Sequence, residues 1–162
     1  MKLKVYIETT IPSFLTARPS RDLVHVAHQQ VTREWWERRR DAFDLYTSQA
    51  VLNEAGRGNP EAAQRRIRLT EGLTLLPIED AATKLAQDIL GGNVMPRKAA
   101  VDALHVAIAT VHRLDVLLTW NCRHLANAEI IGGLRDIVRR KGLELPIICT
   151  PEELMGRQGD KS

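Results

Sequence analysis

The sequence predicts an α/β fold in which a mostly parallel sheet is covered by helices on both faces. Two observations carry this prediction. Short runs of β-branched and aromatic residues alternate along the chain with helical patterns. One predicted helix, residues 99–112, is apolar on almost every face, with Asp102, His105 and His112 as its main interruptions. A helix of that kind is normally buried in a core.

Five short runs predict the strands, because each is compact, apolar and bounded by turn residues. They are residues 3–7, 43–46, 73–78, 116–120 and 146–149. The first run ends abruptly at Glu8-Thr9-Thr10, and the fourth ends in a polar cluster that begins at Asn121. Polar side chains therefore stand where these strands leave the sheet.

The segments between the strands carry helix-start and helix-stop residues. The predicted helices are residues 11–15, 22–40, a helix from Ser48 to Gly56 or Gly58, 60–72, 79–90, 99–112, 128–141 and a brief helix that begins at Pro151. Thr10 and Ser48 are the expected N-caps of two of these helices. Pro12 and Pro60 stand in first turns, where the missing N–H of proline leaves no hydrogen bond unmade.

The composition is that of one globular domain without a membrane segment. The chain has 162 residues, of which 44% are hydrophobic, and its formal charge of +3 permits an anionic partner without requiring one. Cys122 and Cys149 form no CxxC pair and suit a reducing compartment. The start of the chain has no apolar run long enough for a signal peptide. We therefore expect a cytoplasmic protein.

Four polar residues fall where an open α/β sheet binds its ligands, beyond the carboxyl ends of the strands. Glu8 and Asn121 end predicted strands, and Glu54 and Asp102 lie on helices beside them. Carboxylates brought together repel one another, and a hard divalent cation such as Mg²⁺ or Mn²⁺ relieves that repulsion. Such sites hydrolyse phosphodiesters. The sequence therefore predicts a cation site at this edge.

Each of these residues also has an ordinary structural interpretation. Glu8 could be a solvated strand end, Glu54 an exposed helix acid, and Asp102 a complement to the helix dipole. His105, which shares a helix face with Asp102, could be a hydrogen-bonded core histidine, and Asn121 could be a turn residue. The shared placement of these residues, more than any one of them, favours the functional interpretation.

Basic residues flank the predicted site and are candidates for holding the phosphates of an anionic partner, although each could be ordinary solvated charge. They are Arg18, Arg21, Lys98 and Arg123. The neighbouring Trp35 and Trp36 could belong to the core, to a dimer face or to a surface on which bases stack. Cysteines and histidines near residues 105–149 do not have the spacing of a zinc site.

Four motifs, VYIETTIPS, SQAVLNEAGRG, AAVDALHVAIAT and LLTWNCRHLAN, together resemble the successive motifs of PIN-domain proteins, and above all the VapC-type toxin ribonucleases of type II toxin–antitoxin systems. The resemblance runs over residues 4–150. It implies a three-layer α/β/α sandwich over residues 1–150. For residues 151–162 the sequence itself predicts a short C-terminal helix and a polar tail. The resemblance also implies a Mg²⁺-dependent endoribonuclease whose metal-site acids are Glu8, Glu54 and Asp102, with Asn121 at the fourth position.

The sequence departs from the family at two positions. Glu8 stands where the family usually has the shorter aspartate, and Asn121 keeps an oxygen donor but carries no charge. We interpret this as a variant site. A non-catalytic RNA-binding module with a weakened metal site is the alternative, and a phosphate receiver on a similar sheet is disfavoured for lack of a suitably placed lysine. Expected partners are RNA, a small antitoxin and a second copy of the chain.

Overall fold

The computed structural model describes residues 1–156, and all elements below lie within that range. The strands are β1 (Lys4–Ile7), β2 (Asp44–Ser48), β3 (Thr74–Leu76), β4 (Val116–Leu118) and β5 (Ile147–Cys149). The helices are α1 (Thr10–Thr16), α2 (Leu23–Arg38), α3 (Gln49–Ala55), α4 (Pro60–Thr70), α5 (Asp80–Gly91), α6 (Ala100–Val111) and α7 (Ala128–Arg140). Short 3₁₀ turns at Arg40–Ala42 and Arg97–Ala99 precede β2 and α6.

The five strands form one sheet in the order β3-β2-β1-β4-β5, and every neighbouring pair is parallel. The predicted α/β fold with a parallel sheet is therefore confirmed. Because all strands run the same way, their carboxyl ends meet at one edge. The order also puts β1 at the centre, with β2 and β4 on either side, so that residues following these three strands become neighbours.

Two apolar layers cover the sheet, as the alternation of side chains along the strands requires. On one face Tyr6 and Leu117 pack with residues of α3, α5, α6 and α7. On the other face Val5, Ile7 and Leu118 pack with α1 and α2. The three-layer arrangement expected from the resemblance is thus present.

Helix α6 is buried along most of its length, as its apolar sequence predicts. Its fully buried residues include Ala103, His105 and Ala107, and it packs closely against α5, whose Ala82 and Ala86 belong to the same apolar cluster. Small side chains on both helices permit this close approach. The polar residues at the start of α6 are thereby fixed relative to the sheet.

Several strand and helix boundaries differ from the predicted ones because side chains form hydrogen bonds there. Strand β4 ends at Leu118, not at residue 120, since the backbone N–H of Trp120 donates to Thr10 Oγ1 at 2.9 Å. The same hydroxyl donates to Glu8 at 2.6 Å, so the prediction that Thr10 caps α1 is wrong. The predicted cap at Ser48 is confirmed, because its Oγ accepts from Val51 N at 3.3 Å.

The last described segment, residues 151–155, is a series of turns and not the predicted brief helix. It packs on α2, where Trp35 Nε1 donates to the carbonyl of Leu154 at 3.2 Å. Trp35 is fully buried in this chain's own core. The remainder of the predicted polar tail, residues 157–162, lies outside the described residues. No helix within residues 1–156 is long and apolar enough to cross a membrane.

Candidate functional site

The candidate site lies at the carboxyl edge of the sheet, where β1 ends in Glu8 and where α3 and α6 meet it. Glu54 is on the last turn of α3, and His105 is in the middle of α6. Glu8, Glu54 and His105 each offer one ligand atom, and these atoms all lie within 4.8 Å of one another. The chain fold therefore brings two predicted acids together from segments far apart in sequence.

Glu8 is buried and is held by threonine hydroxyls. Its Oε1 accepts hydrogen bonds from Thr10 Oγ1 at 2.6 Å and from Thr119 Oγ1 at 2.5 Å, and its Oε2 accepts from Thr10 N at 3.1 Å. The residue is only 3% exposed, so it is no solvated strand end. Burial raises the pKa of the Glu8 carboxyl, although the charge of His105 and these hydrogen bonds oppose the shift.

Glu54 is more open than Glu8, with 28% of its side chain exposed. Its Oε1 accepts from Thr9 Oγ1 at 2.6 Å and from His105 Nε2 at 2.5 Å. Burial acts to raise the pKa of Glu54, but the hydrogen bond and charge of His105 outweigh it, and the pKa is lowered. Within residues 1–156 its Oε2 accepts no hydrogen bond, which leaves that oxygen open to a ligand.

His105 is fully buried and hydrogen-bonded through both ring nitrogens, which confirms its interpretation as a satisfied core histidine. Its Nδ1 lies 2.7 Å from Tyr6 Oη, which in turn lies 2.7 Å from Ser48 Oγ. Burial acts to lower the pKa of His105, but the bond to Glu54 and the charge of Glu8 raise it overall. Burial also raises the pKa of Tyr6, so its hydroxyl keeps its proton.

Asp102, the third predicted acid, lies one helical turn before His105 and is paired with a different residue. Its Oδ2 is 3.0 Å from Nδ1 of His124, and both side chains are largely buried. The third member of the group whose ligand atoms lie within 4.8 Å of one another is His105, and Asp102 is not part of that group. The charge of Asp102 nevertheless acts on His105, where it favours the protonated ring.

Asn121, the fourth predicted residue, uses its side chain to shape the loop after β4. Its Oδ1 accepts from the backbone N–H groups of Arg123 at 3.2 Å and His124 at 3.0 Å. The backbone N–H of Asn121 donates to Thr119 Oγ1 at 2.9 Å. Asn121 is thus the turn residue that its ordinary interpretation described, and the turn carries His124 to Asp102.

The predicted RNA-contacting residues are all exposed, and none forms an ion pair within the described part of the chain. Arg18 and Arg21 lie between α1 and α2, Lys98 lies directly before α6, and Arg123 lies in the loop after β4. Exposed positive side chains on connections between elements would attract an anionic chain.

The donor set fits a hard divalent cation. Two carboxylates face each other with no lysine or arginine paired to either among residues 1–156. The raised pKa of Glu8 indicates that its hydrogen bonds do not fully offset the loss of hydration. A cation beside Glu8 and the open oxygen of Glu54 would provide that compensation, and oxygen donors of this type suit Mg²⁺ or Mn²⁺.

In sequence, the chain is similar to part of a human protein. No family model matches the chain. Over 125 residues the chain is 33% identical to human EF-hand and coiled-coil domain-containing protein 1, a match that covers 73% of this chain and 19% of that protein. The chain thus spans about a fifth of the length of this curated relative.

Two solved structures have the same fold. VapC20 of Mycobacterium tuberculosis, described as a toxin that cleaves the sarcin–ricin loop, matches with a TM-score of 0.57 and 17% identity over 74% of this chain and 91% of its own. VapBC2 of Rickettsia felis, bound to a DNA fragment from its promoter, matches with a TM-score of 0.53 and 13% identity over 91% of this chain and 98% of its own. The fold is therefore the PIN-like fold of VapC-type toxins, as the sequence motifs predicted.

The sequence analysis did not identify the threonines, Tyr6 or His124 as residues of the site. Thr9, Thr10 and Thr119 follow strand ends directly, which is the same signal that identified Glu8. Tyr6 gave no such signal, because an aromatic residue inside a strand is ordinary core. Its role appears only when β1 is placed against α6.

Proposed function

We propose that this chain is a VapC-type endoribonuclease, which hydrolyses RNA phosphodiester bonds with a divalent cation, Mg²⁺ or Mn²⁺. The observation that carries the proposal is the approach of Glu8 and Glu54 at the carboxyl edge of a parallel sheet, with ligand atoms within 4.8 Å. A fold shared with a toxin that cleaves the sarcin–ricin loop supports the reaction class.

Glu8, Glu54 and Asp102 would hold the cation. A bound Mg²⁺ or Mn²⁺ lowers the pKa of a water molecule and neutralises negative charge on a phosphodiester. The acids belong to different elements, so the sheet and α6 fix their separation. Asp102 lies on the first turn of α6, and its negative charge acts on His105, which supports the proposal that it stands beside the cation.

Hydrogen bonds from other residues of the chain orient these acids. Thr10 and Thr119 fix the position of Glu8 and favour its charged form by donating to its Oε1. Thr9 holds one oxygen of Glu54, which leaves the other oxygen to face the site. His124 orients Asp102 in the same way. A preformed arrangement of this kind requires little reorganisation when charge develops on the substrate.

The exposed cations around this edge would hold the RNA backbone. They are Arg18, Arg21, Lys98 and Arg123. Contacts to phosphates position a nucleic acid without reading its sequence, and their contribution weakens as salt rises. We expect RNA affinity to depend steeply on salt for the same reason.

A toxin of this type would be paired with an antitoxin, as VapC is paired with VapB in the Rickettsia felis complex. We further propose a homodimer in the cytoplasm. The buried Trp35 gives no support to a dimer face, but Leu23 and Val24 on α2 are 85% and 64% exposed and are available to a second copy. Light scattering at micromolar concentration tests this, and a monomer would contradict it.

The test of the proposed activity is cleavage of a labelled structured RNA in Mg²⁺, in Mn²⁺ and in chelator. Glu54→Gln should lose cleavage while it keeps the fold, because it removes a ligand charge from a half-buried side chain. Glu37→Gln, the same change on an exposed acid of α2, is the matched control and should cleave normally. Cleavage that survives chelator would contradict the cation, and equal cleavage by the Glu54 variant would contradict the site.

The geometry of Asn121 favours one alternative, an RNA-binding module without catalysis. Its side-chain oxygen is engaged by two backbone N–H groups, so it offers a cation less than a free carboxylate would. Salt-dependent RNA binding without cleavage in either cation would establish that alternative.

A further inference from the structure

We propose that His105 is a positioning residue that holds Glu54 through the proton on Nε2, and that it is not a ligand of the cation; this rests on the function proposed above. His105 is one of three side chains close enough to share an ion. Whether it binds the ion or a carboxylate therefore depends on where its protons lie, and the surrounding hydrogen bonds decide this.

The imidazole is fixed at both nitrogens. Nδ1 lies 2.7 Å from Tyr6 Oη, and Nε2 lies 2.5 Å from Glu54 Oε1. Both His105 and Tyr6 have 0% exposure, and their rings meet edge to face with centroids 5.7 Å apart. The ring cannot turn toward a new partner without leaving buried polar groups unpaired, which is costly.

The hydrogen-bond partners of the two ring nitrogens of His105 indicate that Nε2 carries a proton. An ionised carboxylate only accepts hydrogen bonds, so the contact with Glu54 requires Nε2–H. On the other side, Ser48 Oγ lies 2.7 Å from Tyr6 Oη and accepts from Val51 N. If Ser48 donates to Tyr6 and Tyr6 donates to Nδ1, every hydroxyl proton has an acceptor. A second proton on Nδ1 would still leave Nε2 protonated, and a protonated nitrogen has no lone pair for a metal.

This chain of contacts ties the carboxylate of Glu54 to the centre of the sheet. Ser48 is the N-cap of α3 and Glu54 lies on the last turn of this helix, while Tyr6 belongs to β1 and His105 to α6. Because Oε1 of Glu54 is taken by His105 and Thr9, Oε2 is the oxygen left for the cation. Loss of a partner that orients a ligand typically costs 10–100-fold in metal affinity or activity.

Mn²⁺ is the probe for the test, and its dissociation constant is measured by titration calorimetry on the full chain. His105→Gln keeps an N–H donor but has no nitrogen that can bind a metal, and we expect Mn²⁺ affinity within about threefold of wild type. His105→Ala should lose roughly 10–100-fold. Tyr6→Phe, which removes only a hydroxyl and preserves packing, should lose about tenfold. His112→Gln, at the far end of α6, is the matched control and should bind Mn²⁺ normally.

Two further measurements separate a positioning role from a structural one. Melting curves show which variants fold, and RNA cleavage by Tyr6→Phe should show a lower kcat with an unchanged KM. Pulsed electron paramagnetic resonance of bound Mn²⁺ reports any nitrogen ligand. A histidine nitrogen coupling that disappears in His105→Gln, or unchanged Mn²⁺ affinity in a folded His105→Ala or in Tyr6→Phe, would overturn the role of His105 alone. A wild-type protein that binds no Mn²⁺ and cleaves no RNA would overturn the proposed function as well.

Discussion

The carboxylate of Asp102 is paired with His124, with Oδ2 and Nδ1 3.0 Å apart across the start of α6 and the loop after β4. The acid at the head of the buried helix is therefore oriented by a residue that follows the neighbouring strand. Asn121 shapes the turn that makes the pairing possible, since its side chain accepts from the N–H of His124. Asn121 therefore influences the orientation of Asp102 through its hydrogen bond to the backbone of His124.

Asp102→Asn should leave the protein folded and reduce RNA cleavage by more than about tenfold, because it removes charge from the cation site without changing shape. The side chain is only partly exposed, but the lost pairing with His124 should still cost less than about 1 kcal/mol, since fewer carboxylates then repel each other. Cleavage assays and melting curves on one preparation check both statements.

Asp88→Asn is the control for this change. It removes an acid paired with Lys141 at 2.9 Å on the surface between α5 and α7, away from the strand ends. It should cleave RNA at the wild-type rate. Equal loss of activity in the two variants would indicate a general effect of the substitution, and an active Asp102 variant would exclude this residue from the cation site.

Thr119→Val should destabilise the protein by roughly 1.5–3 kcal/mol, because a hydroxyl that donates to a buried carboxylate is replaced by a methyl group. Thr47→Val on β2 is the matched control. The Thr47 hydroxyl is buried without a hydrogen-bond partner among the described residues, so its removal should be neutral or stabilising. Urea unfolding of both variants measures the difference, and equal effects would contradict the hydrogen bond to Glu8.

The raised pKa of Glu8 gives a pH dependence of stability in chelator. A carboxyl with a pKa raised by burial binds its proton more tightly in the folded state, so its contribution is fully present below the ordinary value and is lost as pH rises through the folded pKa. Glu8→Gln carries no charge to bury. Its melting temperature minus that of wild type should therefore grow as pH rises from about 4 toward neutrality. A difference that is flat across this range would show that burial does not raise the Glu8 pKa.

The two cysteines should differ sharply in reactivity. Cys122 is exposed, whereas Cys149 is buried on β5 and burial raises the pKa of its thiol to about 12. Only thiolates react with disulfide reagents at an appreciable rate. One thiol should be labelled quickly in native protein and the second only after unfolding, and Cys122→Ser should abolish the fast phase. Two fast thiols would contradict the burial of β5.

The alternation of strands and helices was sufficient to predict the parallel sheet, and the apolar sequence of α6 was sufficient to predict its burial. Glu8 and Glu54 were also placed correctly at one edge, because strand ends in a parallel sheet must meet. Strand β4 was predicted too long, since nothing in its sequence shows that Trp120 bonds to a threonine near the N-terminus.

The finer structure of the site could not be predicted because its contacts join distant segments. Tyr6 and His105 are 99 residues apart, and Tyr6 and Ser48 are 42 apart. Neither periodicity nor capping rules bear on pairs of this kind. The pairing of Asp102 with His124 could not be predicted for the same reason: His124 lies beyond a strand and a turn, and local sequence does not show which acid a histidine will face.

The alanines of α6 make the site sensitive to residues that carry no chemistry. Ala103 and Ala107 have 0% exposure and belong to the apolar cluster that also contains residues of α5. A larger side chain there would have no space and would push the helix outward, since overpacked interiors respond by shifting backbone. Asp102 and His105 would move with it. Loss-of-function substitutions in this protein should therefore accumulate among its smallest buried residues as well as among its acids.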